Sequence, residues 1–515
     1  MKISKSGLFL MLTLMGVFAV LHAAPVQVSA QSPSGVMRGA LQQNFSADWL
    51  NPSMNGASVA AHVPLYFFHD ALLKPMPGNL YSPCLAESWT SSQDYRVYEF
   101  KLRKGVKFHN GDEMTAEDVV FTFQRYKGGS AKIFQDRIEK LEAVNPHLFR
   151  VTFKKPFPDF LEYLLPGTSA IAWIVPRKYV EKVGEAEYKK HPIGCGPYKF
   201  VEFVSGVRMV GEAFEGFWRK VPKVKRLEIY SVVEMSTRFA MVKSGELDWA
   251  VSMVDVFYER VKNDPTLTLR VGHTSTYWTI YMASQFDPKS PWSDPRVRKA
   301  ASLAIDRKTL AQVNQPGGRP LDSIGLAADP EAVRFPPEPY DPEGGRKLLA
   351  EAGYAKGLQG GKFYRYAGTH GQMGEQVANY WKTIGIHVDT VLLDTASFVA
   401  NARGGKMKGA VFFDLLQPPT ISTRLSLLFG PQYYGNYPDI QSLWDQFNQS
   451  IVPNVRKDLI TRVQRMMYDR TMLILLTDGT APTPCGPRVK GDPFKVHVPF
   501  PLWFPSPMED LELNE

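Results

Sequence analysis

A chain of 515 residues with 44% hydrophobic, 12% aromatic and 22% charged side chains is large enough for two or three lobes and too apolar to be disordered. Its formal charge of +9 is scattered apart from Arg219, Lys220, Lys223, Lys225 and Arg226. With no basic stripe interleaved with aromatics, nucleic acid is excluded as a partner and that patch reads as solvated surface. Cys84, Cys195 and Cys485 are far apart and form no C-x-x-C pair, which excludes a cysteine zinc site. They leave open one disulfide plus a thiol, or three reduced thiols.

Lys2, Lys5, the apolar run Leu8–Leu21 and the small residues Val28, Ser29 and Ala30 predict a cleavable secretory signal over residues 1–30. No cysteine follows to carry a lipid, and no later apolar stretch is long enough to span a bilayer. The mature chain is therefore expected to be exported and free of the membrane. His62 and His69 are the only near-neighbour histidines, and nothing beside them completes a metal site.

Tyr98, Phe100 and Leu102 alternate with charged residues, the pattern of a half-buried strand. The following stretch, KFHNGDEMTAEDVVFTFQRY, gathers His109, Asp112, Glu113, Glu117 and Asp118. Asn110-Gly111-Asp112 reads as a tight turn, and Thr115 with Asp118 as a capping box opening a helix, so these acids have a structural role. Residues 191–197, 284–295 and 478–487 are expected to be loops because of their proline and glycine. Ser236 is expected to open a helix that ends at Gly245. Asp294-Pro295 opens another, with an apolar stripe of Val297, Ala300, Ala301, Ala304 and Ile305. A third runs from Asp341-Pro342 to Gly353, and a fourth over Glu375–Ile384 is followed by Gly385 and the strand 386–391. Alternating strands and helices predict an α/β fold.

No enzyme constellation accompanies them. The chain contains no G-x-S-x-G, S-x-x-K or H-E-x-x-H, no P-loop and no G-x-G-x-x-G after a strand. No catalytic residue, metal or cofactor is expected. An exported hydrolase with scattered carboxylates is the least favoured alternative.

LAESW (85–89), YEFKLRKGVKFHNGDEMTAEDVVFTFQR (98–125), HPIGCGPYKF (191–200), KSGELD (243–248), SDPRVRKAASLAIDR (293–307), DPEGGRKLLAEAGY (341–354) and WKTIGIHV (381–388) occur in that order. Together they resemble the extracytoplasmic solute-binding proteins of ABC importers, family 5, which includes dipeptide, oligopeptide and nickel binders. The resemblance implies a two-lobed periplasmic-binding-protein fold of type II, closing like a Venus flytrap, with an extra domain inserted in the first lobe. It places lobe I at 31–75, 190–280 and 481–515, the extra domain at 76–189 and lobe II at 281–480. Hinges are then expected at Tyr277–Ala283 and Leu475–Thr480.

The implied function is a periplasmic monomer that carries a peptide-class solute to inner-membrane permease subunits and, through them, to a cytoplasmic ATPase. In peptide-binding relatives an aspartate shortly after a tryptophan meets the ligand ammonium. In the matching segment VFFDLLQPPT, Phe412 replaces the tryptophan, Leu415 stands at the aspartate position, and Asp414 lies one residue away. An ammonium buried without a carboxylate is costly, so a non-peptide solute (an opine, sugar conjugate or oligosaccharide) is the alternative. The resemblance further points to Asn55 and Gly56 on the first loop, and aromatic walls are expected from Tyr281, Phe412, Phe413, Tyr433 and Tyr434. His370 and Arg424 are the expected partners of an anionic group.

Overall fold

Helices begin where side-chain acceptors stand ready. Asp294, Asp306 and Asp341 accept from the backbone N–H groups of Arg296, Thr309 and Gly344, opening helices Pro295–Leu303, Arg307–Asn314 and Pro342–Glu351. The capping box forms as expected at Ala116–Arg125, where Asp118 Oδ2 accepts from Thr115 N at 2.8 Å. Asp118 Oδ1 also accepts from Arg177 N at 2.9 Å, and His109 Nε2 lies 3.0 Å from the Gly196 carbonyl, so the cluster is committed to local structure. The Ser236 helix spans Met235–Lys243 instead, with Glu234 before it and no side-chain cap. Its entry is fixed by Arg238, whose buried guanidinium donates to the Val232 and Val233 carbonyls at 2.7 Å.

The computed structural model describes residues 32–54, 60–254, 256–326, 329–366, 371–394, 397–398, 400–401, 405–416, 420–429, 437–492, 505 and 507–514, with the backbone alone at 60, 275, 366, 371, 413–416 and 427. The expected signal lies outside them. Among the described residues no helix is long and apolar enough to cross a membrane.

The largest sheet has ten strands in the order Ile386–Leu393, Leu358–Tyr366, Ala410–Leu416, Thr268–Met282, Leu473–Cys485, Trp249–Ala250, Ser34–Leu41, Val224–Ser231, Arg208–Ala213 and Tyr198–Val204. Its two central long strands, Thr268–Met282 and Leu473–Cys485, run antiparallel from Thr268 opposite Cys485 to Tyr281 opposite Leu473. They carry the chain out to residues 283–472 and back, so both halves of the sheet share them. The ladder is interrupted once between His273 and Tyr277, where Thr274–Thr276 face only Gly479, and shifts again between Trp278 and Thr279. A side chain on Gly479 would meet Thr274 Oγ1 at 2.5 Å, so the bulge closes only over glycine.

The returning strand corrects one expectation, since 478–485 is sheet rather than loop. Pro482 turns its carbonyl to Met253 N, 2.7 Å away on the side opposite the Thr268–Met282 strand. Its missing N–H faces that same side and removes no bond from the central ladder.

A separate antiparallel sheet orders Ala86–Ser91, Val97–Leu102, Leu148–Phe153 and Ile138–Asn145. Tyr98, Phe100 and Leu102 point into its core, as their alternation predicts. The HPIGCGP turn packs on the end of helix Val63–Phe68. A Cβ on Gly194 would sit 2.1 Å from the Phe68 carbonyl, and one on Gly196 2.6 Å from the His69 backbone. The G-x-G spacing is thus required by a backbone-on-backbone contact.

The basic patch is not a free surface. Arg219 pairs with Glu509 at 2.6 Å, Lys220 with Asp510 at 2.8 Å and Lys223 with Glu512 at 2.7 Å, while Arg226 pairs with Glu228 at 2.8 Å. All three cysteines are buried and free.

Candidate functional site

The strand Ala410–Leu416 lies directly beside the outgoing crossing strand, with Phe412 opposite Ile280, Phe413 opposite Thr279 and Asp414 opposite Trp278. Strand alternation puts neighbouring positions on opposite faces and positions two apart, 412 and 414, on the same one. Trp278, Ile280 and Phe412 face the apolar cluster under helices Pro295–Leu303 and Gly371–Thr383, and Phe412 stacks on Trp278 at 5.4 Å and 9°. At 1% exposure Phe412 is a core residue, a correction to its place among the ligand walls.

Tyr277 and Tyr281 belong to the opposite face, packed with Ile324, Leu326 and Ile421. Here the site is built. Tyr277 donates its hydroxyl to the Gly325 carbonyl at 3.2 Å, and Arg424 Nη1 donates to the Ile324 carbonyl at 3.0 Å. The Arg424 guanidinium lies 4.8 Å from the Tyr277 ring centroid. Burial lowers its pKa to about 10, against the opposing pull of Tyr277 and Asp329. Asp329 accepts from Ile421 N, at the start of helix Ile421–Leu428, and from Glu331 N at 2.9 Å. Burial raises the Asp329 carboxyl, and Arg424 and Arg334 only partly offset this.

The structure therefore brings Arg424 together with Tyr277 and Asp329, beside the crossing strand that also carries Tyr281. Asn55, Gly56, His370, Tyr433 and Tyr434 lie outside the described residues. Tyr277 was expected only as a hinge residue and Asp329 not at all; an acid-proline step at Asp329-Pro330 was the only local signal for the latter. Among the described residues no group of three or more His, Cys, Asp or Glu side chains is placed to hold a metal.

The family model for bacterial extracellular solute-binding proteins, family 5, middle region, matches residues 81–436. The chain belongs to that family. Heme-binding protein A of Haemophilus influenzae is 27% identical over 79% of this chain and 81% of its own length. Glutathione-binding protein GsiB of Escherichia coli is 29% identical over 53% of each chain, so the match spans about half of that relative. Among solved structures, the ABC transporter substrate-binding protein CtaP of Listeria monocytogenes superposes with a TM-score of 0.81 at 19% identity, covering 94% of this chain and all of CtaP. The solute-binding protein has the α/β fold of the two-lobed substrate-binding proteins, and its relatives are binding proteins rather than enzymes. The family's members are extracytoplasmic.

Proposed function

We propose that this solute-binding protein is the periplasmic receptor of an ABC importer, exported by the signal at 1–30. It acts as a monomer that closes on a peptide-class solute and presents it to the inner-membrane permease. The observation carrying this reading is the pair of shared strands, Thr268–Met282 and Leu473–Cys485, whose pairing is interrupted between His273 and Tyr277. Two halves joined at that point can rotate about it, and a solute touching both stabilises the closed form through its differential affinity. In this reading the lobes follow the boundaries 31–75 with 190–280 and 481–515, the inserted domain 76–189 and lobe II 281–480. The ligand contacts are Tyr281, Phe413, Asp414 and Arg424, together with Asn55, Gly56, His370, Tyr433 and Tyr434.

Mass spectrometry of the native and then the denatured protein tests the solute class. A heterogeneous set of short peptides supports the proposal. A single non-peptide compound moves the case to an opine or sugar conjugate, the reading favoured by Leu415 at the position of the relatives' aspartate. A protein that turns over its ligand would be an enzyme after all. If Asp414 meets a ligand ammonium, Asp414→Asn weakens peptide binding by more than about 1.5 kcal/mol, roughly tenfold in Kd by calorimetry. An unchanged Kd removes Asp414 from the site.

A further inference from the structure

Residues before the outgoing strand and residues between the two crossings meet again outside the crossing strands themselves. On the first side, Asp159 and Glu162 belong to the short helix Phe160–Leu164 and its N-terminal flank. On the second, Glu162 accepts hydrogen bonds from the hydroxyls of Thr420 and Ser422, and Asp159 pairs with Arg456 of helix Pro453–Asp469. Arg456 is anchored on its own side, donating to the Phe447 carbonyl at 2.9 Å with its guanidinium 3.9 Å from the Phe447 ring centroid. These contacts join segments more than 250 positions apart across the gap between the halves.

The gap is crowded with like charge. Glu162 faces Asp159 on its own element and Glu331 across the gap, and Glu331 stands beside Asp329. Tyr81, from strand Asn79–Pro83, packs into the same space. The opposing cations are Arg456 and Lys457 near Glu331, Arg137 near Asp159, and Arg424 and Arg334 near Asp329. Closing the halves thus removes carboxylates from water and sets Glu162 and Glu331 against each other.

We infer that Asp159 and Glu162 on one half, with Thr420, Ser422, Glu331 and Arg456 on the other, form a proton-dependent latch. It holds the halves together at mildly acidic pH and weakens as the pH rises. Burial and the neighbouring acids raise Glu162 well above the usual carboxylate range, and burial with Asp329 and Asp159 raises Glu331 to about 7. Once the halves part, both carboxyls regain water and lose the acid of the other half, so both fall toward the ordinary range. Closing therefore takes up protons. The stabilisation is fully present below the ordinary carboxylate range, about pH 4.3, and is lost as the pH rises through about 7. The latch depends on the two-lobed fold and not on which solute is bound.

The test needs no ligand. Spin labels are placed on Lys140→Cys and Arg462→Cys, exposed positions on the two sides of the latch. The native thiols are buried, and Cys84 and Cys485 are pushed up to about 12, so they do not compete for label. Electron–electron distance measurements should show the ratio of short to long distances falling by about tenfold or more between about pH 5.5 and about pH 8. Glu162→Gln with Glu331→Gln, which keeps hydrogen-bonding side chains but cannot ionise, should hold the short distance at both values. Thr420→Val with Ser422→Ala should lengthen it at both. A wild-type distance that ignores pH overturns the latch, whether or not the variants fold. So does a double glutamine variant that opens as the wild type does.

Discussion

Lys74→Met is expected to cost the folded protein about 3–5 kcal/mol, the range for breaking a buried ion pair and leaving one charge behind. Lys74 Nζ stands 2.7 Å from Asp70 Oδ1, and the two side chains are 2% and 0% exposed. The ammonium also lies 5.1 Å from the Tyr66 ring centroid and 5.6 Å from that of Trp173. Burial alone would lower the lysine's pKa, but Asp70 reverses this and holds it above its ordinary value. Asp70 has two further donors, Trp218 Nε1 at 2.8 Å and Ala71 N at 2.9 Å, which cannot neutralise it. Urea unfolding followed by tryptophan fluorescence measures the loss. Adding Asp70→Asn to Lys74→Met keeps an acceptor for Trp218 and removes the stranded charge, so the double variant should be more stable than the sum of the singles predicts. Strict additivity would mean that the pair is not coupled.

Arg298→Met is expected to lose at least about 3 kcal/mol, because hydrogen bonds to a charged group are worth about 1.5–3 kcal/mol each. The Arg298 side chain is 1% exposed and donates to four carbonyls: Trp292 at 2.6 Å, Ser293 at 2.9 Å, Arg470 at 2.7 Å and Thr471 at 3.2 Å. Two of those carbonyls follow the C-terminus of helix Pro453–Asp469, so the guanidinium joins two chain segments far apart in sequence. Arg298→Lys should recover only part of the loss, since an ammonium lacks the planar fork. Arg296, two residues earlier, is 49% exposed and paired with Asp294, and Arg296→Met should stay within about 1 kcal/mol. Equal losses at the two positions would remove the distinction drawn between them.

These arginines mark how far the sequence could be read. In SDPRVRKAASLAIDR the helix start at Asp294-Pro295 and the stripe of Val297, Ala300, Ala301, Ala304 and Ile305 were legible because both are set within one or two turns. That Arg298 is core and Arg296 surface was not, since two of the four carbonyls that hold Arg298 come from residues far along the chain. The same limit hid the neutralisation of Arg219, Lys220 and Lys223 by acids near residue 510. Proline misled at 478–487 because a strand can turn its missing donors away from the ladder. At the candidate site, resemblance pointed to the segment 411–420, but Phe412 belongs to the core face, a matter of register against Ile280 that composition cannot set. Tyr277 as a site residue and Asp329 escaped notice because they meet Arg424 and the start of its helix only through contacts between segments far apart in the chain.

The bulge opposite Gly479 also bears on speed. Three residues facing one leave slack in the central ladder, while Thr268–His273 remain paired with Thr480–Cys485 on one side of it. A rotation that takes up this slack breaks no neighbouring pair. Opening should accordingly run on the microsecond-to-millisecond scale of hinge motion, with no step of local unfolding before a solute can enter or leave.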